Sequence, residues 1–351
     1  MTPNPPNKPV LLLGATGFTG QLTARALLSA GVPFVAGGRC PDRLAGLNEA
    51  YGGALATRLV DVTNGPSLLA AVAEAGVVAS TAGPFTDMGP PVVSAAIEAG
   101  VPYLDCTGEQ GFIASCRSDF ARKALDATVP VINAFAFEYA LADWLCALAA
   151  DGRGSWESIE VFYRLGPPCP TRGTYLSMKA QATAPSVCLS KRRFVEKQVA
   201  SETKSFRFPG ENDYLPAIWV PFGEVINLPA HIDVVGVDTY LARPRGHRRF
   251  GHLAAEEKSP QGVPHGPNPG QRASARFVIS ARLTTQDVQE TWSLEGKDPY
   301  GVTAKLMAWG AAGLQSGAFA GEGVLTPAQL VPHSVALPWL KDACGIKVVG
   351  P

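Results

Sequence analysis

Over roughly the first 150 residues, short apolar runs alternate with stretches whose apolar positions recur at helical spacing. The runs PVLLLGA (9–15), PFVAGGR (33–39), ALATRLVDV (54–62), VVASTAGPF (77–85), PYLDCTGE (102–109) and VPVINAFAFE (129–138) read as strands. The stretches 18–31, 41–53, 64–76, 89–100, 111–127 and 139–152 read as helices. Pro41 opens one of them, and glycines such as Gly31 close others. This alternation predicts an α/β fold with a parallel, doubly wound sheet.

Beyond Asp151 the pattern changes. SWESIEVFYRLG (155–166), HIDVVGVDTYLA (231–242) and RASARFVISARLT (272–284) alternate like half-buried strands. Residues 167–182 read as a loop feeding a helix, and 191–218 are mixed and charged, with no clear period. Residues 243–272 are basic, then rich in proline and glycine; they carry too little apolar surface to order themselves, so a mobile loop is expected. Residues 298–317 form a helix with proline near its start, followed by a loose tail after residue 330.

Glycines stand at every third position between the first strand and the first helix, in LLLGATGFTG (11–20). Gly14 allows a sharp turn, Gly17 removes a side chain where a pyrophosphate would approach, and Gly20 lets the helix pack on the strand. Ala15, Thr16, Phe18 and Thr19 complete the turn, and the helix start offers amides to phosphate. The spacing departs from the strict G-x-G-x-x-G form. The second strand ends on Arg39, where an NAD site would carry an acid, and Arg43 follows four residues on. Guanidinium groups there suit a 2′-phosphate, which selects NADP; otherwise Arg39 is an ordinary solvated arginine. Asp61 ends the third strand and is placed to cap the adenine amino group. Ala82, Gly83, Pro84 and Phe85 end the fourth, as a narrow passage beside the nicotinamide ribose.

Composition narrows the function classes. The chain has 351 residues, 46% hydrophobic, enough for two domains and a sizeable core. Thirty basic residues balance thirty acidic ones, so no global field draws nucleic acid or a membrane surface. No apolar run is long enough to span a bilayer, and residues 1–8 read as a disordered lead-in rather than a signal peptide. Seven scattered cysteines without a CxxC pair argue against a disulfide framework and a zinc site; no metal is expected, and the cytoplasm is the expected compartment.

LLLGATGFTG, AGGR, STAGPFTDMGPPVVSAAIEAGVPYLDCTGE and, near the end, GKDPYGVTAKLMAWGAAGLQSG with GEGVLTPAQL resemble the saccharopine-dehydrogenase-like NADP oxidoreductases, a group that includes trans-acting enoyl reductases. The resemblance is close over 10–143, good over 296–330 and loose between. It implies a Rossmann domain over 9–150, to which a C-terminal helical segment, 298–335, returns. It also implies a second α/β domain over 151–297 that floors the substrate cleft and often forms a homodimer contact. The activity implied is hydride transfer from NADPH to a C=C or C=N bond of a small or carrier-linked substrate.

Such a reduction needs a proton source. Asp105, Glu109, Asn133, Glu138, Tyr139 and Asp143 fall at strand ends, where ligands bind in this fold. Glu109 serves as an acid or merely caps the following helix. Tyr175 and Lys179 stand four residues apart, and an ammonium beside a phenol makes the phenol a usable acid. Short-chain dehydrogenases share that spacing but need a serine about a dozen residues upstream, where Phe162 stands. Tyr175, Lys179 and Glu109 are therefore the catalytic candidates. The cluster RGHRRFGH (245–252) grips an anionic substrate or is a solvated loop. The alternative to a reductase is a non-catalytic protein that senses NADP(H).

Overall fold

The computed structural model describes residues 8–166, 170–242 and 265–351. The chain divides into two compact units. The first holds residues up to Thr107, then Phe112–Phe137 and Tyr300–Leu330; the second holds Gly108–Gly111, Glu138–Pro299 and Val331–Pro351.

The first unit is built on seven parallel strands. β1 (Val10–Leu13) lies between β2 (Phe34–Gly38) and β4 (Val77–Ser80). β3 (Thr57–Leu59) forms one edge; β5 (Tyr103–Asp105) and β6 (Pro130–Ile132) continue the other side. The order 3-2-1-4-5-6 is that of a Rossmann sheet, and it reverses between β1 and β4. Every residue of β1 and β4 is buried, as the continuous apolar runs require of strands covered on both faces. A seventh strand, Gly323–Leu325, pairs parallel with β6, so the far end of the chain completes this sheet.

Helix α1 (Phe18–Ser29) follows β1, and α2 (Pro41–Ala50) follows β2. The next two are Gly65–Ala73 (α3), opened by Asn64, whose side chain accepts the Ser67 amide at 3.2 Å, and Phe85–Ala99 (α4). The sequence places Phe85 in a strand and starts this helix at Gly89; the structure starts it at Phe85. Pro90 and Pro91 therefore lie inside the helix, two backbone donors short, while Phe85, Gly89, Val92 and Val93 bury one face. The expected helix over 111–127 is two α segments, Gln110–Ser115 (α5) and Ala121–Asp126 (α6), joined by the π-helical turn Cys116–Phe120.

The second unit opens with α7 (Phe137–Ala150), whose first residue still belongs to the first unit. β7 (Trp156–Leu165) is the centre of a mixed sheet, parallel to β12 (Val234–Ala242) and antiparallel to β13 (Arg276–Thr284). Several elements differ from expectation. The unpatterned region 191–218 contains strands β9 (Arg193–Glu196), β10 (Thr203–Phe206) and β11 (Leu215–Trp219), and β8 (Val187–Ser190) precedes them. β9 is exposed at all four positions, so no apolar alternation marks it. β14 (Gln289–Lys297), to which the sequence reading assigns no element, pairs with β13 over nine residues. The loose tail is in fact a helix, His333–Cys344, and a strand, Lys347–Val349, that joins the sheet edge beside β14. The mobile loop expected over 243–272 lies outside the described residues up to 264. Its last residues begin a helix, Pro269–Ser274, where Asn268 and Gln271 form a reciprocal capping box.

The helix Pro299–Ser316 lies close against the first sheet. A Cβ on Gly310 would stand 2.8 Å from Phe135 Cε1 and 2.9 Å from Leu104 Cδ1. Gly310→Val should therefore cost about 1–3 kcal/mol of stability through overpacking, whereas Gly154→Ala, with nothing within 4 Å of its Cβ, should cost little. Urea denaturation of both variants checks this; equal midpoints would show that the helix is not seated so closely.

Candidate functional site

The chain leaves β1 at a turn made almost wholly of backbone. Gly14 has φ of +75°, a left-handed conformation that glycine adopts at no steric cost. The Gly17 amide donates to the Gly14 carbonyl at 2.9 Å and closes the turn. A Cβ on Gly20 would overlap that same carbonyl and stand 2.8 Å from Ala15 Cα. A Cβ on Gly17 would meet only the Gly14 oxygen, at 3.2 Å, and otherwise point into open space. Gly14 and Gly20 are therefore required by the fold, while Gly17 clears a cradle. It also caps α1 without any side-chain acceptor. Thr81, just past β4, ties the neighbouring strand end to the turn: its hydroxyl donates to Leu13 O at 3.0 Å and Gly14 O at 3.2 Å. Ala15 is buried, and Thr16, Phe18 and Thr19 are half-buried around the turn.

Arg39 follows β2 and Arg43 lies in the first turn of α2; both are exposed. Asp61 accepts the Thr63 amide at 2.9 Å and the Thr63 hydroxyl at 2.7 Å. Those two bonds, together with the Arg39 guanidinium, hold its carboxyl below the usual range. The structure thus places Arg39 close enough to Asp61 for its charge to act on that carboxyl. Ala82, Gly83 and Pro84 line the exit of β4. Phe85 is different: its ring stacks on Phe112 with centroids 6.0 Å apart and belongs to the core.

Asp105, an acid–base candidate, is a structural knot. Its buried carboxylate accepts from Tyr103 Oη (2.9 Å), Asn133 Nδ2 (2.8 Å) and the amides of Thr107 and Ala134 (both 2.9 Å). Burial pushes it up to about 6 against the pull of those four donors.

In the second unit the loop 108–111 is held by polar contacts at three successive residues. Tyr139 Oη donates to the Gly108 carbonyl at 3.1 Å, and Glu109 accepts the Ser177 hydroxyl at 2.7 Å. Gln110 Nε2 donates to the carbonyls of Val187 (3.0 Å) and Phe222 (3.2 Å), while its Oε1 accepts the Val187 amide at 2.9 Å. Ser177 lies on α8 (Arg172–Thr183), between Tyr175, which is buried, and Lys179, which is exposed. Glu109 and the helix that carries Tyr175 and Lys179 are therefore neighbours, through a serine the sequence reading passed over.

The same unit holds an acidic cluster that the sequence shows only in part. Tyr163 Oη donates to Glu224 Oε1 and lies 3.4 Å from the Glu138 carbonyl; Glu224 Oε2, buried, has no hydrogen-bond partner among the described residues. Burial pushes Glu224 up to about 8, with Asp143 and Glu138 adding to the rise. Glu138 is half-buried by surface area, yet protein surrounds its carboxyl and pushes it up to about 7. Buried Asp143 pairs with His231 Nε2 at 2.6 Å. Glu224 was not foreseen, because a lone glutamate in a proline-flanked stretch carries no sequence signal of burial. Among the described residues, no group of three or more His, Cys, Asp or Glu is arranged to hold a metal ion, and no helix is long and apolar enough to cross a membrane. The RGHRRFGH cluster lies outside the described residues.

With this geometry in view, comparisons with known proteins concentrate on the N-terminal part of the chain. The family model of the saccharopine dehydrogenase NADP binding domain matches residues 10–151, where the sequence resemblance is closest. A trans-acting enoyl reductase of Mycobacterium tuberculosis is 36% identical over 134 residues, 37% of this chain and 32% of that relative. One from Mycobacterium ulcerans is 31% identical over 135 residues, again 37% of this chain and 32% of the relative. The match thus spans only about a third of the length of these relatives. Apo saccharopine dehydrogenase (L-Glu forming) from Saccharomyces cerevisiae shares the fold over 98% of this chain and 100% of its own, with a TM-score of 0.65 at 13% identity.

The raised Glu224 carboxyl gives a signed expectation. The folded state holds this proton more tightly than the unfolded chain, so the stability it adds is complete below about pH 4.5 and is lost as pH rises through about 8. Glu224→Gln, which cannot ionise, should gain on the parent protein across that window, at up to about 1.4 kcal/mol per pH unit. Chemical denaturation of both proteins from pH 5 to 9 measures the difference, and a constant offset would refute it.

Proposed function

We propose that the chain is an NADPH-dependent reductase that delivers hydride to a C=C or C=N bond of a small or carrier-linked substrate. The observation that carries this reading is the backbone cradle at Gly14–Gly20, set where the strand order reverses, with Arg39 exposed past the end of β2. The residues fit a dinucleotide: Gly17 leaves the volume for a pyrophosphate, the start of α1 supplies amides, and Arg39 with Arg43 supplies guanidinium groups for a 2′-phosphate. Bound NADPH would supply the hydride. The match over 10–151 to an NADP binding domain supports the choice of cofactor, and the enoyl reductases among the relatives support reduction.

The protein's own work is to bind, orient and furnish a proton. Tyr175, Lys179 and Glu109 remain the proposed acid–base group. Glu109 sits against the Tyr175 helix through Ser177, which orients its carboxylate. Glu138 and Glu224 add carboxyls held near neutrality by burial, the property a proton donor needs at neutral pH.

Two measurements test the reading. Arg39→Asp should weaken NADPH binding about tenfold or more relative to NADH, since it removes a charge-assisted pair and adds repulsion; fluorescence titration reads both constants. The unmutated protein should consume NADPH with at least one member of a panel of enoyl and imine substrates. Tight binding with no turnover across the panel would replace the reductase by a cofactor sensor.

A further inference from the structure

Gln110 is the first residue of α5 and only 4% exposed. A buried primary amide has to find partners for its oxygen and both its hydrogens. Gln110 finds them on two segments far along the chain. Its Oε1 accepts the Val187 amide, and its Nε2 donates to the carbonyls of Val187 and Phe222. Val187 opens β8, and Phe222 stands two residues before Glu224. β12 holds that second segment as well: the Val220 amide donates to the Thr239 carbonyl at 3.0 Å, and the Phe222 amide to Thr239 Oγ1 at 3.3 Å.

Rings tie the same segments together. Phe222 meets Tyr139 edge-on with centroids 5.6 Å apart, and Tyr163 edge-on at 4.9 Å. Tyr139 Oη donates to the Gly108 carbonyl, and Tyr163 Oη donates to Glu224. Gly108 and Gln110, the two neighbours of Glu109, are therefore both fastened, and Gln110 is fastened to the backbone that leads into Glu224. All of these residues belong to the second unit.

We propose that Gln110 is a positioning residue whose amide locks the segment carrying Glu224 to the loop carrying Glu109, so that the two carboxyls keep a fixed relation to one another. Gln110 acts through the backbone of Val187 and Phe222. Misplacing a reacting group by about 1 Å costs on the order of 100-fold in rate, so a clasp of this kind matters more to turnover than to binding. The role rests on the proposed reductase reading and adds that its two acids form one block.

Two measurements on the full chain test it. With an enoyl or imine substrate that the unmutated protein reduces, Gln110→Met should lower kcat about tenfold and leave the KM for NADPH within about twofold. An unchanged kcat overturns the role. The second measurement needs no substrate. Glu224 faces Tyr163 of β7 and Glu138, Tyr139, Asp143 and Cys146 of α7, and the stability it adds is lost as pH rises through about 8. Releasing Phe222 lets water reach that carboxyl, so in Gln110→Met the loss should move about one pH unit lower. Denaturation of Gln110→Met with and without Glu224→Gln, from pH 5 to 9, reads the shift. A purely structural Gln110 would lower stability equally at every pH, and that result overturns the role. Should Gln110→Met not fold, Gln110→Asn, whose amide is drawn back by about 1.5 Å, carries both measurements with the same expected directions. An unmutated protein that reduces no substrate overturns the reductase reading; the pH shift then still decides whether Gln110 sets Glu224.

Discussion

The contact on which the rest depends is backbone against backbone. The first turn of α1 presses on the end of β1 with no side chain between them, because Gly20 cannot carry even a Cβ without striking the Gly14 carbonyl. That approach fixes where the helix starts, and so where its amides point. Thr81 reinforces it from the next strand by donating both its amide and its hydroxyl to Leu13 O. The strand order reverses at this point, between β1 and β4. The place proposed for the nucleotide thus follows from how closely a helix can be set on a strand.

The same economy appears at the other end of the chain. Residues 300–330 return to the first unit, and Gly323–Leu325 pairs with β6. Gly310 lets the returning helix lie against the side chains of Phe135 and Leu104, where a Cβ would stand 2.8 and 2.9 Å from them. The domain that the family model covers therefore lacks an edge strand and a covering helix that this chain supplies from the far side of its second unit. A sheet edge left at β6 would expose unpaired backbone groups; pairing with a distant strand removes that edge and ties the integrity of the first unit to the chain's C-terminal third.

The legible parts of the sequence were those in which one rule acts alone. The buried strands β1, β4 and β6 are almost wholly apolar, and amphipathic helices ended by glycine show their period, so β1 to β6 and α1 to α3 stand close to where the pattern puts them. The pattern failed where tertiary contacts override it. β9 is exposed at every position and is held by the ladder to β8, not by any alternation of its own. Pro90 and Pro91 look like a helix start, yet the burial of Phe85 draws the helix back by four residues. In the candidate site, Gly14, Gly17, Gly20 and Arg39 were visible because a backbone turn demands residue types. Ser177 and Glu224 were not, because a residue far along the chain gives each its contact.

Glu224 shows what such long-range placement can achieve. A carboxyl with one oxygen bonded to Tyr163 and the other without a hydrogen-bond partner among the described residues costs stability whenever it ionises. A leucine would fill the space, and a glutamine would keep the bond to Tyr163. Asp143 solves the same problem differently, with His231 at 2.6 Å, and Asp105 solves it with four donors. Asp105 and Glu224 thus carry different degrees of compensation, and burial raises the less compensated Glu224 to about 8 but Asp105 only to about 6. Burial that raises Glu224 to about 8 favours its protonated form near neutrality, with one oxygen committed to Tyr163.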